Sequence, residues 1–300
     1  MTSVAAIELG GTRAAVTVGR DPGDHAAPVA LATTSPQETI AALGDVLEGF
    51  QRSGRGFDQI GVASFGPVGV NPQRPDWGRI GATPKPGWSQ ADVAGPLGRR
   101  FGVPVIIETD VNAAAIGEGR WGSAAGCGSH VYVTVGTGVG VGVVVDGRPV
   151  HGALHPEAGH LKVRRRPGDS FPGRCRWHGD CLEGLISGPA LAERLGRPAD
   201  DLDDDHIFFA LSGAYLGEAL AAVALTVSPE KIVIGGGVGR RPAVLSAARS
   251  AFEEAIAGYI PSQSPDGSNL LVAPGLGAHS GLMGALALAL DADEVLQSFA

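Results

Sequence analysis

Twice in this chain an apolar stretch of strand character breaks on a glycine–threonine turn and at once resumes as a second strand. Val4 to Leu9 breaks at Gly10-Gly11-Thr12 and resumes at Ala14 to Val18. About 125 residues later, His130 to Val135 breaks at Gly136-Thr137-Gly138 and resumes at Val139 to Val145. Such gaps are too short for a parallel crossover, so each pair reads as an antiparallel hairpin. The recurrence is a weak internal repeat that predicts two similar α/β lobes. Residues 36–50 carry apolar positions at helical spacing, with Ser35 as N-cap. A buried strand, Gln59 to Phe65, ends in Gly66-Pro67, and a long loop rich in glycine and proline runs to Gly87. Val103 to Glu108 is a strand that leads directly into a helix starting at Asp110, capped by Asp110 or Thr109. Residues 151–184 are irregular. Beyond them lie a helix at about 206–226, a strand Lys231 to Ile234 and helices near 242–259 and 280–290.

Composition narrows the class. Glycine accounts for 47 of 300 residues, about twice the usual share, without the three-residue period of collagen. Apolar residues at 44% and charged residues at 18% are enough for a buried core, which excludes intrinsic disorder. No run of 18 uncharged apolar residues is present, and MTSVAAIELGGTR lacks the features of a secretory leader, so neither a membrane span nor export is expected. A net charge of −8 gives no global field for nucleic acid or anionic lipid. Three cysteines are too few for a disulfide scaffold and point to a reducing cytosol.

The glycine turns come first among the candidate sites. Where a chain turns on Gly-Gly-Thr, backbone N–H groups converge without interference from a Cβ, and the threonine hydroxyl adds a donor, which makes a nest for phosphate oxygens. One such turn is equally a plain tight hairpin. Two of them, with Gly235-Gly-Gly-Val-Gly239 after a third strand, point to a nucleotide between lobes. No G-x-x-x-x-G-K-[ST] loop occurs. Gly117-Glu-Gly119-Arg-Trp-Gly122 spells a dinucleotide fingerprint but follows a helical stretch, so it fails the context that motif needs.

Asp110 stands at a strand's C-terminal end and a helix's N-terminal start, where open α/β sheets place ligands and the helix dipole favours an ionised carboxylate. It can cap the helix, or it can take the proton of an attacking hydroxyl. Cys175-x-x-His178-x-x-Cys181, with His160 fifteen positions upstream, offers two thiolates and two imidazoles, the donor set of a closed tetrahedral zinc site. The alternatives are a Cys175–Cys181 disulfide or uncoordinated residues. Glu157 lies in the same loop and suits sugar hydroxyls. Arg164-Arg165-Arg166 beside Asp169 reads as a solvated basic turn. Cys127, His25, His130, His206 and the run Asp201–Asp205 read as packing or surface residues.

Taken in order, these stretches resemble the sugar kinases of the repressor, open reading frame, kinase (ROK) family, in its bacterial fructokinase branch. The matching segments are Ile7-Glu-Leu-Gly-Gly-Thr12, Ser64-Phe-Gly-Pro67, Thr83-Pro-Lys-Pro-Gly-Trp88, Thr109-Asp-Val-Asn-Ala-Ala-Ala115, Gly136-Thr-Gly138, His155-Pro-Glu-Ala-Gly-His160, Cys175 through Pro189, and Gly235-Gly-Gly-Val238. They cover nearly the whole chain. The resemblance implies a two-lobed actin-like (ribonuclease H-like) ATPase fold with a cleft between lobes. The lobes are then expected at 1–115, completed by a C-terminal helix at about 285–300, and at 116–284, holding a zinc loop at 155–184. The implied activity is transfer of a phosphoryl group from ATP, with Mg²⁺, to the 6-hydroxyl of D-fructose in a cytoplasmic homodimer. Asp110 is the implied general base. Glu157, His160, Glu183 and Thr109 would hold sugar hydroxyls. Gly10, Gly11, Thr12 and Thr137 would surround the phosphates, and Pro189, Gly235, Gly236, Gly237, Val238 and Gly239 would lie along the adenosine. His160, Cys175, His178 and Cys181 would hold structural zinc.

Three residues depart from the commoner family pattern. Glu8 stands where many members have aspartate, Thr109 where many have asparagine, and Arg13 where a lysine often follows the turn. The whole chain holds three lysines against 20 arginines. Mannose and other hexoses remain alternative substrates, although the histidine inside the cysteine motif differs from the three-cysteine pattern usual in glucose and hexosamine kinases. A sugar sensor or repressor is the alternative of a different class. Repressors carry a winged helix ahead of the kinase-like part, and the first hairpin here turns at residue 10.

Overall fold

The computed structural model describes residues 3–198 and 201–292. The chain divides into two compact units, Met1–Gly122 with His151–His155 and His279–Ala300, and Ser123–Val150 with Pro156–Ala278.

In the first unit, β1 (Val4–Leu9) and β2 (Arg13–Asp21) form the first hairpin, with Leu9 opposite Ala14. The short strands β3 (Asp24–His25) and β4 (Val29–Ala32) both pair with β2. Helix α1 (Pro36–Arg52) starts on a reciprocal cap: the Glu38 amide donates to Ser35 Oγ, and the Ser35 hydroxyl donates to the Glu38 carboxylate at 2.9 Å. Its Thr39, Leu43 and Leu47 repeat at one face and are buried. β5 (Ile60–Ser64) joins β1 in parallel. Helix α2 (Ala94–Phe101) then leads to β6 (Val105–Thr109), parallel to β5. β5 and β6 are buried at every position, as strands covered on both faces must be. β6 runs without a linker into α3 (Asp110–Trp121). The expected lobe boundary at residue 115 falls within this continuous helix, and the change of unit comes after it, at Gly122.

The second unit repeats the plan. β7 (His130–Val135) and β8 (Val139–Val145) form the second hairpin, and β9 (Arg148–Pro149) lies on the edge. After a loop come α4 (Leu182–Ile186), α5 (Gly188–Leu195) and α6 (Ile207–Val227). β10 (Lys231–Gly235) pairs in parallel with β7. After α7 (Pro242–Ile256), β11 (Leu271–Val272) pairs in parallel with β10. The strand order β9-β8-β7-β10-β11 is thus that of β3-β2-β1-β5-β6 in the first unit. Each sheet is mixed, with antiparallel pairs on one side of β1 or β7 and two parallel neighbours on the other.

Helix α6 is, among the described residues, the one helix long and apolar enough by composition to cross a membrane. It is mostly buried, interrupted by Glu218, and packed on α7, where Gly213 and Gly217 bring the two backbones together. These are the features of a core helix.

Of the run Arg164-Arg165-Arg166, Arg164 is exposed as its charge predicts, but Arg165 and Arg166 are half-buried. Arg166 donates to the Ala214 carbonyl at 2.9 Å, and Arg165 donates to the carbonyl of Asp169. Arg194 grips the Asp169 carboxylate with both Nη atoms, at 2.7 and 2.9 Å, and the Tyr215 hydroxyl adds a third bond at 2.6 Å. Asp169 is held well below the usual carboxylate range by these donors, Arg194 foremost. The arginines therefore tie the long loop to α6.

The chain finishes in the first unit with α8 (Ser280–Leu290), which packs on α3 and on β1 and β5. A Cβ at Gly284 would lie 1.8 Å from the Ala113 carbonyl oxygen, so only glycine lets α8 approach the helix that carries Asp110 this closely. Of the helix expected at 285–300, residues 293–300 lie outside the described part.

Candidate active site

The first hairpin turn is built from the backbone outward. The Gly10 amide donates to the Arg13 carbonyl at 2.9 Å, and the Thr33 hydroxyl donates to the Gly10 carbonyl at 2.8 Å. Gly11 has open space where a Cβ would stand, and the Thr12 side chain is exposed. Lys85 Nζ donates to the Gly11 carbonyl at 2.6 Å and to the Thr33 carbonyl at 3.2 Å, which places a cation beside the turn.

Glu8 and Asp110 lie in the same unit, close enough for the Asp110 charge to act on Glu8. Glu8 projects from β1 toward the first turn of α8, where a Cβ on Gly281 would lie 2.6 Å from its Oε1. Burial, followed by the Asp110 charge, pushes the Glu8 carboxyl up to about 7, against a bond from the Leu282 amide. Asp110 opens α3, and its Oδ1 accepts from the Val111 amide at 2.9 Å. Burial pushes Asp110 up to about 6, opposed by backbone amides. A carboxylate so raised, with a helix N-terminus behind it, is ionised at neutral pH yet basic enough to take a proton. Thr109 is 2% exposed, and its Oγ1 accepts from the Asn112 amide at 3.1 Å. The structure thus makes Thr109 the cap of α3, a contribution of about 1 kcal/mol.

In the second unit the predicted nucleotide residues lie against each other. The Gly136 amide donates to the Gly138 carbonyl at 2.9 Å and closes the turn that exposes Thr137. The Gly188 amide donates to the Gly136 carbonyl at 2.7 Å and sets Pro189, at the start of α5, next to that turn. Gly236 has φ +85°, and a Cβ there would meet the Val135 carbonyl at 2.3 Å. The amides of Val238 and Gly239 donate to that same carbonyl at 2.9 and 3.1 Å, which folds Gly235–Gly239 over the end of β7. Gly237 faces open space.

The loop residues also converge. His160 Nδ1 stands 3.5 Å from Cys181 Sγ and 3.6 Å from Cys175 Sγ, and His178 Nδ1 stands 3.6 Å from Cys175 Sγ. The ligand atoms of all four residues lie within 4.8 Å of one another. In a tetrahedral zinc site with bonds of about 2.3 Å to sulfur and about 2.0 Å to nitrogen, the S···N edge is about 3.5 Å, so the donors fit that ion. None of the three cysteines is in a disulfide. Burial, with Cys175 adjacent, pushes the Cys181 thiol up to about 11, a cost that a cation between the sulfurs removes.

His160 presents Nδ1 to this cluster, which leaves Nε2 for another partner. Glu183, on α4, stands 4.0 Å from His160 Nδ1 and accepts from the Val139 amide at 3.1 Å, beside the Gly138 turn. Glu157 is exposed and opens the short turn Ala158–His160, which Gly159 lets press onto β8.

Four side chains near these groups carry no sequence expectation of their own: Lys85, Glu108, His151 and His155. Glu108 could have been found, as a lone charge at the end of an otherwise apolar strand. His151 lies in an unpatterned segment and leaves no such trace, whereas Lys85 and His155 fall inside segments that match the family.

The ROK family model matches residues 4–292. The chain belongs to the ROK family. A ROK relative from Zymomonas mobilis, named fructokinase, is 40% identical over 294 residues, covering 96% of each chain. A fructokinase from Pediococcus pentosaceus is 37% identical over 284 residues, covering 95% of this chain and 96% of its own. Among solved structures, the ROK hexokinase from Thermus thermophilus matches 97% of this chain and 99% of its own, with a TM-score of 0.77 at 28% identity. The fold is therefore the actin-like ATPase fold of the ROK sugar kinases.

Proposed function

We propose that this chain is an ATP-dependent fructokinase that transfers the γ-phosphoryl group of ATP to the 6-hydroxyl of D-fructose. The observation that carries the proposal is Asp110, a partly buried carboxylate with its pKa raised to about 6, set at the strand–helix junction of a fructokinase-like ROK chain. Asp110 accepts the 6-hydroxyl proton as that oxygen attacks the γ-phosphorus. The new P–O bond forms, the bond to the departing phosphate oxygen breaks, and ADP leaves. Glu157, His160 and Glu183 bind sugar hydroxyls. Gly10, Gly11, Thr12 and Thr137 bind phosphate oxygens, while Pro189 and the segment Gly235–Gly239 line the adenosine. Two electrostatically coupled carboxylates with raised pKa values suit a cation; Glu8 would hold Mg²⁺, which offsets charge on the phosphoryl oxygens. Zinc, held by His160, Cys175, His178 and Cys181, would be structural, because the protein supplies all four ligands.

A cytoplasmic homodimer that binds no nucleic acid or membrane is part of the same proposal. A kinase for another hexose is the second reading, favoured by the name of the Thermus thermophilus structure. Asp110→Asn tests the assignment. The variant is expected to fold and bind fructose, with kcat lower by several orders of magnitude. Near-normal turnover refutes the base.

A further inference from the structure

The residue before Thr109 has a task the reaction scheme leaves unassigned. Glu108 is the penultimate residue of β6 and is 1% exposed. Its Oε1 accepts from the Thr109 amide at 2.7 Å and from Asn112 Nδ2 at 3.1 Å, so it grips the backbone immediately ahead of Asp110 and the first turn of α3 behind it. Its Oε2 lies 2.6 Å from His151 Nε2. A carboxylate offers only acceptors, so Nε2 carries the proton and donates. His151 is 43 residues away in sequence. It opens the segment His151–His155, by which the chain returns briefly to the first unit. That segment is held elsewhere too. Arg74 donates to the Ala153 carbonyl at 3.2 Å, and the His155 ring packs on Gly66, with Nε2 3.5 Å from the Val68 amide.

We infer that Glu108 and His151 are positioning residues for phosphoryl transfer: the His151–Glu108 bond locks the carboxylate that orients the Thr109–Asp110 junction. The inference rests on Asp110 as the base. Without His151, a buried carboxylate oxygen loses its donor, and the carboxylate turns toward other donors or water. Its hold on Thr109 and Asn112 then loosens. A base displaced by even 1 Å costs up to about 100-fold in rate, because the reacting atoms must meet in a narrow geometry.

The test compares His151→Ala, His151→Asn and His151→Gln with the parent chain in ADP release, reading kcat and KM separately, with a melting curve for each. The alanine variant loses the donor, and the asparagine amide is too short to reach Glu108. Both are expected to lower kcat tenfold or more while KM for sugar and ATP stays within about threefold, since a positioning defect acts on the transition state. The glutamine amide can donate to the same oxygen and is expected to restore kcat to within about threefold. A contact that serves stability alone would lower the melting temperature of all three without this split. Should the alanine chain fail to fold, the asparagine and glutamine pair gives the comparison by itself. Parental kcat in His151→Ala or His151→Asn overturns the inference and leaves the kinase assignment standing. A folded parent chain that phosphorylates no hexose overturns the assignment, and the inference with it.

Discussion

At the scale of single residues, the fold works against the carboxylate proposed as the base. Asp110 rises from 3.8 to about 6 because burial removes water from the charged form, and Glu8 rises from 4.5 to about 7 for the same reason, increased by Asp110. A raised acid stabilises the fold while protonated. Its contribution is complete below pH 4 and is lost as the pH climbs through about 6. Removing the Asp110 charge should therefore stabilise the protein at pH 8, by about 3 kcal/mol from a shift of this size. Asp110→Asn is expected to melt several degrees above the parent at pH 8, with the gap closing by pH 4. Equal melting temperatures at pH 8 would show that Asp110 is not strained by burial. In the parent, kcat/KM is expected to fall as the pH drops through about 6, where the base takes up its proton.

At the scale of elements, local pattern carried far. Both hairpins, the Ser35 cap, the strand into α3 and the helix at 206–226 are legible in sequence because each depends on residues a few positions apart. What the sequence hid is long-range. The two-residue strands β9 and β11 have no length over which a period can show. Arg165 and Arg166 read as solvated until Arg165 meets the carbonyls of Asp169 and Phe171 and Arg166 meets Tyr215 and Ala214 of α6. The pairing of Glu108 with His151 needs the chain to return from the second unit, which no spacing announces. The Cys/His cluster lies between these cases, since three of its members fall within Cys175–Cys181 and His160 is close enough to guess. With few apolar residues and several glycines in this loop, a metal is the staple available to it. Metal analysis is expected to find one zinc per chain, and its removal by a chelator to lower the melting temperature and turnover together. Sub-stoichiometric zinc in a stable, active preparation would exclude a structural role for the ion.

At the scale of the whole molecule, the repeated strand order explains why glycine is so abundant. Two mixed sheets each need a tight hairpin whose backbone can meet a ligand, and the helices behind them pack at backbone distance through Gly213, Gly217 and Gly284. Two similar α/β units were readable from that repeat, and the actin-like fold from the family resemblance. Fructose was read only through the family resemblance, because hydroxyl recognition depends on side-chain placements that spacing does not encode; of the two caps the sequence offers for α3, Thr109 is the one observed. Substrate choice is therefore the central claim to test. ADP release with Mg-ATP should be measured across fructose, mannose, glucose and N-acetylmannosamine, comparing kcat/KM. Fructose is expected to lead by tenfold or more, a difference of about 1.4 kcal/mol in transition-state binding. A lead by another hexose, or no ADP release from any sugar by a folded, zinc-loaded chain, would contradict the fructokinase assignment.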